Sequence, residues 1–195
     1  MLAADPADQF SSWLAAAVAA GLPEPNAMVL STVSAAGQPR SRSVLLKQHG
    51  PAGFVFYTNR TSAKAQDLAE NGHASALFPW YALRRQVIVH GSVTAMSQAD
   101  SEPYFHSRPH GSQIGAWASR QSSPLESRYA FEKAIALKAA QFGVGPVPRP
   151  PFWIGYRVMP TVMEFWHERP FRLHDRIEFR RADARAAWMK TRLYP

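Results

Sequence analysis

Residues 27–58 read AMVLSTVSAAGQPRSRSVLLKQHGPAGFVFYT, and this stretch decides the class of fold. Three runs rich in Val, Leu, Phe and Tyr, at 27–34, 40–47 and 54–58, are punctuated by Gly37 and by His49-Gly50-Pro51, residues that make turns. Strands joined by such short turns run antiparallel, because a parallel pair needs a crossover of a dozen or more residues. The stretch therefore predicts an antiparallel meander and excludes alternating βαβ units.

On its N-terminal side, Asp5-Pro6 opens a helix, and Phe10, Trp13, Leu14, Ala17 and Val18 recur at helical spacing up to Gly21. On the other side the pattern predicts a short helix over 62–70, strands over 74–80 and 86–96, and a helix from Ser97 that Pro103 kinks or shortens. Ser123-Pro-Leu-Glu126 combines a serine cap, a proline and a reciprocal glutamate, so a helix is expected from there to Phe142. Residues 143–151 (GVGPVPRPP) form a stiff strap, and further strands are expected at 156–159, 162–166, 176–181 and 188–193. The sum is about nine strands and three or four helices, mainly β with peripheral α, in one domain over 1–195; an antiparallel barrel is the closure that removes edges.

The 195 residues are 46% hydrophobic, enough for a sizeable core, and carry 22 Lys+Arg against 14 Asp+Glu, a net charge of +8. That balance points to an anionic partner, whether nucleic acid, an acidic membrane or a small phosphorylated molecule. The absence of cysteine excludes a disulfide framework, a zinc ribbon, an iron–sulfur cluster and a thiol nucleophile. The longest apolar run, 13–22, is about half a membrane span, and Asp5 and Asp8 precede it without a basic leader, so a cytoplasmic location is expected. No GxGxxG or GxxxxGK[ST] is present, so side chains must hold any phosphate.

Four clusters could do so. In RSVLLK (42–47), Arg42 and Lys47 have opposite parity, which sends them to different surfaces or different parts of a ligand; two solvated strand ends is the plainer alternative. At 57–64 a strand end with Tyr57 and Thr58 runs into a helix start carrying Arg60 and Lys64, a junction suited to phosphate. The loop-like stretch 104–113 gathers Tyr104, His106, Arg108, His110 and Ser112. A metal site there is not expected, since Pro109 interrupts a helix and no carboxylate stands near the two histidines. Finally Arg172, His174 and Arg176 would share one face of a strand, an arrangement that an anion or an electron-rich ring would relieve.

RSVLLK (42–47), FVFYTN (54–59), RQVIVHG (85–91), YFHSRPHGSQIGAWASRQSS (104–123), EFW (164–166) and RLHDR (172–176) together resemble the pyridoxamine 5′-phosphate oxidase family, in order along nearly the whole chain. The resemblance implies an FMN-binding split β-barrel that forms a homodimer with two sites at the interface, and a C-terminal dimerisation and substrate region at about 152–195. It implies FMN contacts from Arg42, Val44, Leu45, Lys47, Tyr57, Thr58, Lys64, Gln86, Gln121, Ser122, Trp166 and Arg176. It places Lys47, Tyr104, Arg108 and Ser112 around the phosphate of pyridoxamine or pyridoxine 5′-phosphate. Arg172 and His174 then stand at the reacting carbon as the catalytic pair, Arg172 positioning and stabilising charge and His174 orienting. The reaction implied is oxidation to pyridoxal 5′-phosphate by O2. Three departures stand out: Ala63 replaces the arginine usual before Lys64, Pro103 adjoins Tyr104, and the chain starts just before its first helix, which implies less cover over the substrate. A phenazine-biosynthesis-type flavin oxidase and a non-catalytic flavin-binding protein are the alternatives. Nucleic-acid binding has only the charge in its favour, because the aromatics fall in core-like strand patterns.

Overall fold

The computed structural model describes residues 3–195. Helix α1 (Pro6–Ala19) starts where expected, with the Asp5 carboxylate accepting from the Ala7 N–H at 2.6 Å. Strands β1 (Ala27–Val33), β2 (Pro39–Leu45) and β3 (Phe54–Asn59) follow, then α2 (Ala63–Asn71), β4 (His73–Trp80) and β5 (Arg85–Ala95). Helices α3 (Gln98–Ser107), α4 (His110–Ala118) and α5 (Arg128–Phe142) lead to β6 (Trp153–His167), β7 (Asp175–Arg180) and β8 (Met189–Leu193). All strand pairs are antiparallel, in the order β2-β1-β4-β5-β6-β7-β8, with β3 on the remaining edge of β6.

The expected barrel is not closed. Along β2-β1-β4-β5-β6-β3 the two end strands meet, among the described residues, at one bridge between Gln48 and Val55. There Lys47 N–H donates to the Val55 carbonyl and Val55 N–H to that of Gln48, both at 2.8 Å. Elsewhere β2 and β3 part, which makes this the split barrel that the resemblance implied. Phe10 of α1 fills the barrel interior, fully buried and edge-on to Phe54 and Phe78 at 4.8 Å each. The aromatics of the strands are core, as their pattern predicted: Phe56, Phe78, Phe165 and Phe179 are all buried.

Four expectations need correction. Residues 153–167 form one strand, so the described residues contain eight strands and not nine, because Pro160 sits where β6 exchanges one partner for another: β3 pairs with 153–158 and β7 with 162–167. A register shift at His90/Gly91 accommodates the extra residue, and a Cβ on Gly91 would lie 2.0 Å from the Met159 carbonyl oxygen. Pro103 does not cut its helix short, since α3 runs through it to Ser107. The stretch 104–113, expected to be loop-like, is mostly helical: 104–107 close α3 and 110–113 open α4, with Arg108 and Pro109 as the break between them. Helix α5 begins at Arg128 because Ser127, not Ser123, supplies the cap, its hydroxyl accepting from Ala130 N–H at 3.1 Å.

The strap over 143–151 is pinned by Arg149, which reaches the Glu102 carboxylate at 2.8 Å and the Trp153 carbonyl at 2.6 Å. No described helix is long and apolar enough to cross a membrane.

Candidate functional site

A cleft of about 740 Å³ opens where β2 and β3 diverge, walled by α2, by the α3–α4 corner and by the start of β6. Its position follows from the sheet: an edge that pairs with nothing leaves backbone as well as side chains facing the gap. Twelve of the residues singled out in the sequence line it: Arg42, Val44, Leu45 and Lys47 from β2 and its exit, Tyr57, Thr58 and Lys64 from β3 and α2, and Tyr104, Arg108, Ser112, Gln121 and Ser122. Arg42 and Lys47 thus serve one cleft despite their parity, at separate places. Arg42 lies on the Lys64 side, whereas the Lys47 ammonium stands 5.6 Å from the centre of the Tyr104 ring.

At the α2 side, Arg42 donates to the Leu30 carbonyl at 3.1 Å and to the Thr32 hydroxyl at 2.7 Å, and it faces the Asp67 carboxylate at 3.8 Å. Asp67 is buried, accepts from Thr32 at 2.7 Å and pairs with Arg40 at 3.1 Å. Beside this group lies Lys64, 7% exposed, whose ammonium has among the described residues only the hydroxyls of Thr58 at 3.1 Å and Ser62 at 3.4 Å as partners. Burial, reinforced by the Arg42 charge, pushes the Lys64 ammonium down to about 8. Burial likewise lowers Arg42. Gln121 accepts from the Thr58 hydroxyl at 2.9 Å, and the Ser122 hydroxyl accepts from Ala63 N–H at 3.2 Å, tying the segment after α4 to the first turn of α2.

On the other side, Tyr57, Tyr104 and Trp153 form a cluster of near-parallel rings (Tyr57–Tyr104 4.3 Å, Tyr57–Trp153 4.9 Å, Tyr104–Trp153 6.0 Å), and the Arg108 guanidinium sits 5.0 Å from the Trp153 ring centre. Arg108 Nη1 is buried without a hydrogen-bond partner among the described residues, and burial lowers its pKa. Four cations therefore line the cleft and no described carboxylate does. A positive cleft with a buried guanidinium N–H left without an acceptor among the described residues suits anionic ligands.

Five predicted residues lie elsewhere. Gln86, Trp166 and Arg176 stand side by side across β5, β6 and β7, paired in register. Arg176 makes two bonds to Glu164, at 2.8 and 3.0 Å, so an acid partners it. Arg172, His174 and Arg176 do not share a strand face, because β7 begins only at Asp175 and Arg172 closes a 3₁₀ turn (Pro170–Arg172) with φ +61°. Phe171 beside it has φ +58°, so two consecutive non-glycine residues occupy the left-handed region, a strain worth about 1–3 kcal/mol each. His174 packs on Trp166, ring centres 4.6 Å apart. None of these five lines the cleft of its own chain.

The sequence reading passed over Trp153, which stacks in the cleft, and Asp67 with Thr32, which hold Arg42. Asp67 stands three residues after Lys64, one helical turn on, a spacing that could have flagged it. Arg60, at the same junction, does not line the cleft. His106 does have a carboxylate beside it, Glu102 at 2.9 Å one helical turn away, contrary to expectation. Among the described residues no three His, Cys, Asp or Glu side chains form a metal cage.

Comparison with known proteins places these features. Residues 14–140 match the family model described as pyridoxamine 5′-phosphate oxidase, and residues 153–195 match the pyridoxine 5′-phosphate oxidase C-terminal dimerisation region. The chain is 56% identical over 193 residues to a pyridoxine/pyridoxamine 5′-phosphate oxidase of Rhodopseudomonas palustris strain BisA53, covering 99% of this chain and 91% of that one. A protein of the same name from Nitrobacter hamburgensis is 54% identical with the same coverage. Among solved structures, PhzG from Burkholderia lata in complex with tetrahydrophenazine-1-carboxylic acid superposes with a TM-score of 0.92 at 33% identity, covering 99% of this chain and 94% of that one. An FMN-binding protein from Nostoc punctiforme related to pyridoxamine 5′-phosphate oxidase shares the fold, with a TM-score of 0.76 at 18% identity over 94% of this chain and 96% of that one.

Proposed function

This chain belongs to the pyridoxamine 5′-phosphate oxidase family, and from that premise we propose that it is a cytoplasmic, FMN-dependent oxidase of vitamin B6 metabolism. It converts pyridoxamine and pyridoxine 5′-phosphates to pyridoxal 5′-phosphate with O2, releasing H2O2, and NH3 from the amine. The observation that carries this reading is the cleft's charge: Arg42 with Lys64 on one side, Lys47 with Arg108 on the other, and no described carboxylate lining it. Two separated cationic groups match two phosphorylated molecules.

The residues present fit FMN. Lys64 is buried beside Arg42 with, among the described residues, hydroxyls alone as partners, an arrangement that a phosphate relieves. Arg42, Lys64, Thr58 and Ser122 would hold that phosphate, and the free backbone edge at Val44 and Leu45 would meet the polar rim of the ring system. When bound, FMN supplies the acceptor for the hydride leaving C4′ and passes the electrons to O2. Around the substrate, Arg108, Lys47, Tyr104 and Ser112 bind its phosphate and fix the distance to C4′. Arg172 places a positive charge against the ring, and His174 orients it.

A homodimer supports the site's completion. Gln86, Trp166, Arg172, His174 and Arg176 belong to a β5–β6–β7 region that does not line its own chain's cleft, and from Trp153 onward the chain matches a dimerisation region. The partner subunit would then supply them.

The structural likeness to PhzG favours a second reading, a flavin oxidase acting on a tricyclic substrate without phosphate. Arg108 Nη1 argues against it, because such a substrate leaves a buried guanidinium N–H unpaired. Purified protein given pyridoxamine 5′-phosphate is expected to be yellow, to consume O2 and to form pyridoxal 5′-phosphate. Bound flavin without that product would overturn the oxidase reading in favour of the PhzG-like or the binding-protein alternative.

A further inference from the structure

The loop 169–175 (RPFRLHD) is tied at its base by one residue acting twice. Arg169 N–H donates to His174 Nδ1 at 3.2 Å, and the Arg169 guanidinium pairs with Asp175 Oδ2 at 2.7 Å. Leu173 N–H closes the turn on the Pro170 carbonyl at 3.1 Å. A backbone N–H can only donate, so His174 Nδ1 must present a bare lone pair and the ring proton must sit on Nε2. The second constraint on the ring is Trp166, which packs against it at a tilt of 47° with ring centres 4.6 Å apart. Plane and tautomer are thus both set, and the strain at Phe171 and Arg172 is held between fixed ends.

We propose that Arg169 is a positioning residue that holds His174 as the Nε2–H tautomer, so that His174 meets the substrate as a hydrogen-bond donor to an oxygen on its ring and not as a base. The role rests on the oxidase reading above; the tautomer does not. Donation from Nε2 stabilises negative charge on a ring oxygen and orients the ring, leaving proton removal at C4′ to no part of this imidazole. Asp175 also pairs with Arg192, so the two arginines share one carboxylate from opposite sides and only Arg169 carries the link to His174.

The test uses the FMN-loaded, full-length protein with ¹⁵N-labelled histidine. The expected spectrum shows His174 protonated on Nε2 and bare on Nδ1, before any substrate is added. Arg169→Ala keeps the backbone N–H but removes the Asp175 pair that holds it in place. It is expected to loosen the donation to Nδ1, mix the tautomers and raise KM for pyridoxamine 5′-phosphate about 5- to 10-fold, with FMN affinity unchanged. Arg169→Lys should recover part of the loss, and Arg192→Ala should leave the tautomer as it was. Should Arg169→Ala fail to fold, His174→Gln, whose amide N–H stands near the Nε2 position, should retain at least 10-fold more kcat/KM than His174→Asn. An Nδ1–H signature in the unmodified protein overturns the proposal. So does an Arg169→Ala protein with unchanged tautomer and KM, or His174→Asn matching or outperforming His174→Gln. Failure of the oxidase reading looks different: the Nε2–H signature is present, but no O2 is consumed.

Discussion

Lys64 offers the sharpest test of the proposed FMN site. Its ammonium is buried with two hydroxyls as partners and Arg42 as a neighbour, and it falls from an ordinary 10.5 to about 8. At 1.36 kcal/mol per pH unit, the fold carries a cost of roughly 3 kcal/mol for keeping this charge. The unfolded chain binds more protons than the folded one between about pH 8 and 10.5, so Lys64 penalises the cofactor-free fold in full below about pH 8. The penalty is relieved as pH rises to 10.5. A phosphate dianion reverses the preference, so the ligand binds the protonated form. The FMN dissociation constant should therefore rise with pH above about 8, by roughly 30-fold between pH 7 and 9.5, as the protonated fraction of free Lys64 declines. Flavin fluorescence quenching across that range measures it, with riboflavin as the control that lacks the phosphate and should show no such slope. Lys64→Met should flatten the FMN curve, weaken binding at pH 7 and stabilise the cofactor-free protein by up to about 3 kcal/mol. An FMN affinity independent of pH from 7 to 9.5, or a Lys64→Met protein that keeps the slope, would refute the assignment of Lys64 to the phosphate.

Ala63 lines the same cleft beside Lys64, so Ala63→Arg should add a phosphate contact and tighten FMN by about 5- to 30-fold in the same assay, worth about 1–2 kcal/mol. Arg172→Ala should lower turnover by about 100-fold or more while FMN stays bound, whereas Arg42→Ala should chiefly release FMN; equal cofactor loss in both would contradict their separate roles. Gly91→Ala forces a Cβ to within 2.0 Å of a carbonyl oxygen and should cost about 3 kcal/mol or more, read as a fall in Tm of roughly 6–12 °C; an unchanged Tm would show that the bulge can relax.

Much of the site was legible in the sequence because its side chains advertise chemistry. Arg42, Lys47, Lys64 and Arg108 are cations in apolar or helix-cap settings, and the structure gathers all four into one cleft. What escaped were features set by partners distant in sequence. Trp153 looks like any core aromatic until β3 is laid against it, and Asp67 looks like a solvated helix acid until Thr32 and Arg40 close over it. The strand count failed at Pro160 because proline ordinarily ends a strand, and only the exchange of β3 for β7 along one edge explains its tolerance. The start of α5 failed because two serines competed for one cap. The face expected to hold Arg172, His174 and Arg176 failed because local periodicity cannot foresee a backbone that turns left-handed at Phe171 and Arg172.

The long strand β6 has a bearing on how the chain assembles. Strands β1, β2, β4 and β5 can pair as soon as they are made, but β3 waits about a hundred residues for its neighbour, since Phe54 pairs with Val158. During synthesis one wall of the cleft stands early, while the other, bearing Tyr57 and Thr58, is placed only after residue 158 has left the ribosome. Until then an apolar strand, FVFYTN, has an unfilled edge, which marks that interval as the one most open to aggregation. Flavin present during synthesis cannot shorten the wait, because Tyr57 and Thr58 are placed only once residue 158 has emerged.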